Sequence, residues 1–274
     1  MLSSKEIARY NRQILLPDFG TAGQKKLKQA RILMIGAGGL GCAVLPYLTA
    51  AGVGTIGIVD FDTVDNSNLH RQPLYTTDDI GKQKVGCAVQ RLAKQNEFVK
   101  FEAHPHELSN QNAIELFSNY DIIIDGTDNF ASRYLINDAC ILLDKPLVYG
   151  AIHRFEGQVT VFNYGSNTEV KGPSYRCLFP EPPSANAFPD CSEAGVIGVL
   201  PGLIGLMQAN ETIKIITGIG DVLSGRLMMV NMLNMEFNTL HFNRNNEKNI
   251  LSPASAEELK EYDYKLFCSR VNNT

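Results

Sequence analysis

Arg31-Ile-Leu-Met-Ile35-Gly36-Ala-Gly38-Gly39-Leu-Gly41 reads as a short apolar strand running directly into a glycine-rich turn. A helical pattern follows through Ala43, Leu45, Leu48 and Ala51. Gly36, Gly38 and Gly41 fit the G-x-G-x-x-G spacing, in which missing side chains let backbone N–H groups approach a phosphate at a helix N-terminus. The next apolar run, Thr55-Ile-Gly-Ile-Val-Asp60, ends on a carboxylate 24 positions after Gly36. That is close to the spacing of the acidic residue that binds a ribose. The unit specifies a nucleotide but neither its identity nor its chemistry.

Outward from this unit, Ser3–Arg12 predicts a short helix capped at Ser4, and residues 22–28 a second, basic one. Downstream, Ile80–Asn96 is helical, Val99–Ala103 a strand, Asn112–Phe117 helical and Tyr120–Asp125 a continuous apolar strand. Such a run suits a parallel sheet covered on both faces. Helix Phe130–Leu143 and strand Pro146–Ala151 complete a β-α-β-α-β-α-β order, which predicts an α/β, Rossmann-like doubly wound sheet. The second half changes character. Gly157–Phe162 alternates as an antiparallel strand does, and Gly165–Cys191 is a proline-rich loop. An apolar helix follows within Ala194–Gly220, then a hairpin from Arg226–Asn231 and Glu236–Phe242. We expect one domain over residues 1–243, its nucleotide half near 28–152, and a polar tail at 244–274 with one weak helix at Ala256–Tyr262.

The bulk numbers narrow the class. With 274 residues the chain can bury a substantial core. A net charge of −4 gives no global attraction to nucleic acid or anionic membrane. Six scattered cysteines without a C-x-x-C pair argue against a disulfide framework, and Cys42, Cys87 and Cys140 fall inside helical patterns as small core residues. Met1–Tyr10 lacks an apolar signal segment, and Gln208, Asn210, Glu211 and Lys214 interrupt the apolar helix. A cytoplasmic protein without a membrane span is the expectation.

A glycine-rich β-α-β unit alone points first to an NAD(P)-dependent oxidoreductase, the commonest user of the motif. Further features pull away from that reading. Ser67-Asn68-Leu-His70-Arg71-Gln72 follows the ribose carboxylate, and Lys84 lies 13 positions beyond Arg71. Two cations near a phosphate chain suit a reaction in which charge builds on transferring phosphoryl oxygens. Gly126-Thr127-Asp128-Asn129 ends the Tyr120–Asp125 strand, so Asp128 falls in the same crevice as the glycine turn. Asp128 is a candidate Mg²⁺ ligand near phosphate oxygens, or else a cap for the helix from Phe130. Arg9-Tyr10-Asn11-Arg12-Gln13 forms a basic patch far from the crevice in sequence.

Taken in order, these strings, with Val59-Asp60-Phe-Asp62, Gly81-Lys-Gln-Lys84, Cys191-Ser-Glu-Ala-Gly-Val and Gln208-Ala-Asn-Glu211, resemble the ubiquitin-activating superfamily. The likeness is to its bacterial sulfur-carrier adenylyltransferases, and it covers roughly residues 8–242. It implies binding of Mg-ATP and of the C-terminal Gly-Gly tail of a small ubiquitin-like sulfur carrier, for molybdopterin or thiamine synthesis. The tail carboxylate becomes an acyl-adenylate and pyrophosphate leaves. By resemblance, Gly36, Gly38, Gly39 and Gly41 hold phosphate and Asp60 the ribose, with Asp62, Ser67 and Gln72 in the nucleotide site. Asn68, Arg71 and Lys84 contact the triphosphate. Asp128 coordinates magnesium beside Asn129, and Arg12 enters the site of a second subunit, which implies a homodimer. The proline-rich loop matches a crossover segment that covers the threaded tail, and residues 153–243 become the carrier-binding half.

The chain also departs from that pattern. Relatives commonly hold structural zinc between two C-x-x-C pairs. Here the first pair falls at Ser174-Tyr-Arg-Cys177 with one thiol only, and His241–Ser252 contains no cysteine. Four ligands are needed, so zinc is expected to be absent. Cys191 matches a cysteine that links covalently to the carrier in parts of the superfamily, a role that needs an accessible, low-pKa thiol. With about 30 polar residues after the hairpin, the sulfur donor is expected to be separate. Two other readings remain: activation of a different carboxylate, such as one on a modified tRNA base, and a docking protein that binds a carrier without activating it.

Overall fold

The computed structural model describes residues 1–165, 171–182, 195–245 and 252–269. Its sheet has eight strands: β1 (Arg31–Ile35), β2 (Thr55–Val59), β3 (Lys100–His104), β4 (Ile122–Asp125), β5 (Leu147–His153), β6 (Glu156–Phe162), β7 (Arg226–Asn231) and β8 (Glu236–His241). Their spatial order is β3-β2-β1-β4-β5-β6-β7-β8. The first five are parallel and the last three antiparallel, as the change in patterning at Gly157 predicts. Strand order reverses between β1 and β4. In open α/β sheets the ligand crevice lies at such a switch point, beyond the strands' C-terminal ends.

Apolar runs in the parallel strands are continuous because both faces are covered. Ile32, Met34, Ile56, Ile58, Ile122 and Ile124 face one core, and Leu33, Ile35, Val59 and Ile123 face the other. The first core is covered by α2 (Gly20–Gln29), α3 (Gly39–Ala51), α4 (Lys84–Gln95) and the 19-residue α8 (Val199–Thr217). The second is covered by α5 (Ala113–Ser118) and α6 (Phe130–Leu142). Through Leu200 and Ile204, α8 also packs on β6 and β7 in a smaller third core. Cys42, Cys87 and Cys140 are buried core residues. Among the described residues no helix is long and apolar enough to cross a membrane.

Three local expectations are corrected. The first helix, α1 (Ser4–Ile14), is capped by Ser3 rather than Ser4: Ser3 Oγ accepts from Glu6 N at 3.2 Å while Glu6 Oε2 accepts from Ser3 N at 2.7 Å. That reciprocal pair is a capping box, and it makes Ser4 the first helical residue rather than the cap. The predicted helix from Ile80 starts only at Lys84, because Gly81 takes φ +81° and Gln83 bridges to Thr63. The C-terminal stretch keeps the helix expected near Ala256–Tyr262 but adds a second one and packs on the core, so its described part is more than a polar tail. It forms α9 (Ala256–Glu261) and α10 (Tyr264–Ser269), which bury Leu259 and Tyr264 in the second core.

Those helices cover a buried ion pair. Arg176, on the short α7 (Tyr175–Leu178), meets Asp138 through two hydrogen bonds of 2.9 and 2.7 Å, both side chains fully buried. Tyr264 donates to Asp138 at 3.0 Å, and the guanidinium lies over the rings of Tyr134 and Phe267. Asn110 and Gln111 donate to the carbonyl of Lys260, tying α9 to the segment after β3.

Candidate active site

A cavity of about 290 Å³ lies over the C-terminal ends of β1, β2 and β4. Its floor is the glycine turn. Gly36 has φ +92°, and a Cβ there would stand 2.8 Å from Gly126 O; a Cβ on Gly41 would stand 2.3 Å from Gly36 O. Only glycine lets the β1 turn lie against the β4 turn with α3 folded back over it. Gly38 caps α3 without a side-chain acceptor, so the helix's first N–H groups are not claimed by a side chain.

Asp60 follows β2. Its Oδ2 accepts from Ala37 N at 2.7 Å and its Oδ1 from Asp62 N at 2.8 Å, which clamps the glycine turn to the β2 end. Burial pushes its pKa up, against the two N–H bonds and nearby Lys84. Each oxygen keeps a lone pair, so hydroxyl donors can still be accepted. Lys84 stands at the first position of α4, where the helix dipole disfavours a cation. It is buried and held by Asp62, 2.8 Å away, whose own side chain is half exposed. An anionic ligand could take over that lysine without removing it from its place.

The polar segment after Asp62 winds into a single 3₁₀ turn at Asn66–Asn68, capped by Asp65. From it Asn68, Arg71 and Gln72 reach the cavity wall. Arg71 Nη1 donates to Ser67 O at 3.0 Å, and Gln72 Nε2 to Asn68 Oδ1 at 2.8 Å. Ser67 is elsewhere, its hydroxyl donating to Asp65 at 2.5 Å. Gly41 lies under the turn and does not line the wall.

On the β4 side, Asp125 Oδ1 accepts from both the N–H and the hydroxyl of Thr127, shaping the loop that presents Asp128. Burial raises the pKa of Asp125 despite Arg133 and Thr127. The cap of α6 is Asn129, which accepts from Ser132 N at 2.9 Å, so Asp128 is left exposed on the cavity wall. Asp128 offers oxygen only, a donor suited to Mg²⁺ rather than to a thiolate-loving metal.

Arg12, like Ser67 and Gly41, does not line this cavity. Arg12 is exposed and lines a separate cavity of about 420 Å³ with Tyr47, Leu206 and Asn210. Cys191, with most of the crossover segment, lies outside the described residues. At Ser174–Cys177 the single thiol accepts from Ser174 N and Asn245 N at 3.4 and 3.3 Å. No cluster of three metal-ligating side chains occurs among the described residues.

Sequence reasoning passed over His106 and Leu108 in the turn after β3, and Arg133 in the first turn of α6, all of which line the cavity. Arg133 donates to Thr127 O at 3.3 Å and lies over the ring of Phe130. The available signal was positional, since each follows the C-terminal end of a parallel strand.

Fold and site together define a doubly wound α/β protein with cations and carboxylates lining one crevice at the strand C-termini. The chain belongs to the ThiF family, whose sequence profile matches residues 10–251. It is 47% identical over 269 residues to a sulfur carrier protein adenylyltransferase of Thermus thermophilus, covering 97% of this chain and 98% of that one. It is 46% identical over 270 residues to a probable adenylyltransferase/sulfurtransferase MoeZ of Mycobacterium tuberculosis, covering 98% of this chain and 67% of that one. The fold matches a crystal structure of PaaA with a TM-score of 0.74 at 24% identity, over 89% of this chain and 76% of that one.

Proposed function

We propose that this protein adenylates the C-terminal Gly-Gly carboxylate of a ubiquitin-like sulfur carrier for molybdopterin- or thiamine-type sulfur transfer. The observation that carries the reading is convergence: the glycine turn, Asp60, Asn68, Arg71, Lys84 and Asp128, spread over 93 positions, line one cavity. Near-complete coverage of a relative named for this reaction supports it.

In this reading the carrier tail brings a carboxylate oxygen to the α-phosphorus of ATP. The new P–O bond forms as the bond to the bridging oxygen of the β-phosphate breaks, and pyrophosphate leaves. The first N–H groups of α3 hold phosphate oxygens, and Asp60 accepts from the ribose hydroxyls. Lys84 exchanges Asp62 for a phosphate oxygen, and Arg71 with Asn68 holds the departing pyrophosphate. Positioning and charge stabilisation supply the catalysis. A magnesium ion held by Asp128 would neutralise charge on the phosphate chain. Asn129, used as a helix cap, acts by fixing the Asp128 loop.

Arg12 lines the second cavity and not the crevice of its own chain, which supports a homodimer in which it reaches a partner's site. Cys191 is a candidate nucleophile; Cys191→Ser with undiminished adenylation and sulfur transfer would remove it from the mechanism. The protein works without structural zinc, and elemental analysis finding one zinc per chain would overturn that. The sulfur donor is a separate species and the setting is cytoplasmic.

Carrier-dependent ATP–pyrophosphate exchange tests the reaction. Exchange that requires the Gly-Gly carrier is the expected result. Exchange driven by tRNA alone would assign a different carboxylate, and no exchange with any carrier would leave a docking protein.

A further inference from the structure

One group of titratable side chains has no part in the phosphate chemistry. Glu102, on β3, is held by Arg31 and Lys100 at 2.9 and 2.8 Å and accepts from Tyr120 Oη at 2.8 Å. Tyr120 Oη is also 2.8 Å from His104 Nε2. A tyrosine has one hydroxyl proton, and a carboxylate accepts only. That proton is spent on Glu102, so His104 Nε2 must carry its own and donate to Tyr120. Burial lowers the His104 pKa, chiefly by disfavouring its charged form, with His106 adding to the effect. His104 is thereby fixed as one neutral tautomer in one orientation.

What this platform holds is His106. The His106 N–H donates to His104 O at 2.9 Å, and the two rings meet edge to face with centroids 5.7 Å apart. His106 is exposed and lines the nucleotide cavity. Its position along the cavity follows from strand order. In the proposed ATP complex phosphate lies at the β1 turn and the ribose at Asp60 after β2; β3 is the next strand outward, and Asp60 N donates to His104 O at 3.3 Å. A nucleotide laid along that order brings its base to the turn after β3.

We propose that His106 is the base-wall residue of this site, its imidazole forming the face on which the purine of ATP stacks. The inference rests on the proposed use of ATP. A π-face platform favours the larger purine over a pyrimidine. The base is remote from the reacting α-phosphorus, so the residue acts on nucleotide affinity and not on the chemical step.

The test measures nucleotide affinity without a carrier, using ATP, CTP and inorganic tripolyphosphate, together with KM and kcat for adenylation. The expected result for His106→Ala is an ATP affinity lowered about 5- to 100-fold, a smaller loss for CTP and none for tripolyphosphate. KM for ATP rises while kcat holds, and His106→Phe retains most of the affinity. Unchanged ATP affinity in His106→Ala, with loss in Phe61→Ala on the same cavity, would overturn the assignment and give the wall to Phe61. A wild-type protein that binds tripolyphosphate but no ATP would instead sink the proposed function.

Discussion

Lys84 violates a local rule: a buried cation at the first turn of a helix, facing the positive end of the dipole. Such breaches concentrate where function requires them. Its ion pair with half-exposed Asp62 keeps the charge in place, and an incoming phosphate can replace the carboxylate. We expect Lys84→Ala to lower carrier adenylation by roughly 10²–10³-fold while the fold persists. Single-turnover formation of the adenylate is the measurement, with circular dichroism as the control for folding.

At the scale of elements, the site depends on how closely α3 folds back on β1. The 2.3 Å gap between Gly36 O and an added Cβ at Gly41 makes Gly41→Ala a backbone clash and not a filled void. We expect a loss of about 1–3 kcal/mol in stability from overpacking and a weaker ATP affinity, read from a denaturant midpoint and a titration. Glu102 makes a second element-scale test, because it joins β1, β3 and the turn that leads into β4. Burial pushes its pKa up, but Lys100, Tyr120 and Arg31 outweigh this and hold it down to about 2. A carboxylate held below its unfolded value stabilises the fold above that value and loses the contribution as pH falls. Stability should therefore drop between pH about 4.5 and about 2, and Glu102→Gln should flatten that part of the unfolding-versus-pH curve.

The whole molecule poses the question of Arg12. It sits on the α1–α3–α8 side, lining a cavity apart from the crevice. If it acts across a homodimer, mixing Arg12→Ala with Asp128→Ala subunits restores one intact site in each mixed dimer. Activity should then recover to about a quarter of wild type after subunit exchange, although each variant alone is inactive. An arginine acting within its own chain gives no recovery, because both sites of the mixed dimer stay defective. The described C-terminal helices also belong to this scale. Through Tyr264 and Phe267 they close over the Arg176–Asp138 pair, and the Tyr264 hydroxyl gives the buried carboxylate a further donor that offsets part of its desolvation.

The sequence by itself determined the parallel half of the sheet, the glycine turn and the ribose carboxylate. Those are encoded in local periodicity and in residue types whose backbone demands are short-range. It also supplied the order of motifs through Asp128, because each sits at the end of a strand that patterning reveals. Tertiary structure decided what each side chain is free to do. Asn129 rather than Asp128 caps α6, Ser67 is spent on Asp65, and Lys84 is paired to Asp62. The same holds for His106, which carries no motif, and for α10, whose Tyr264 and Phe267 meet the distant Arg176–Asp138 pair. Hydrogen-bond allocation and burial depend on partners distant in the chain, and a single sequence does not record which of them meet.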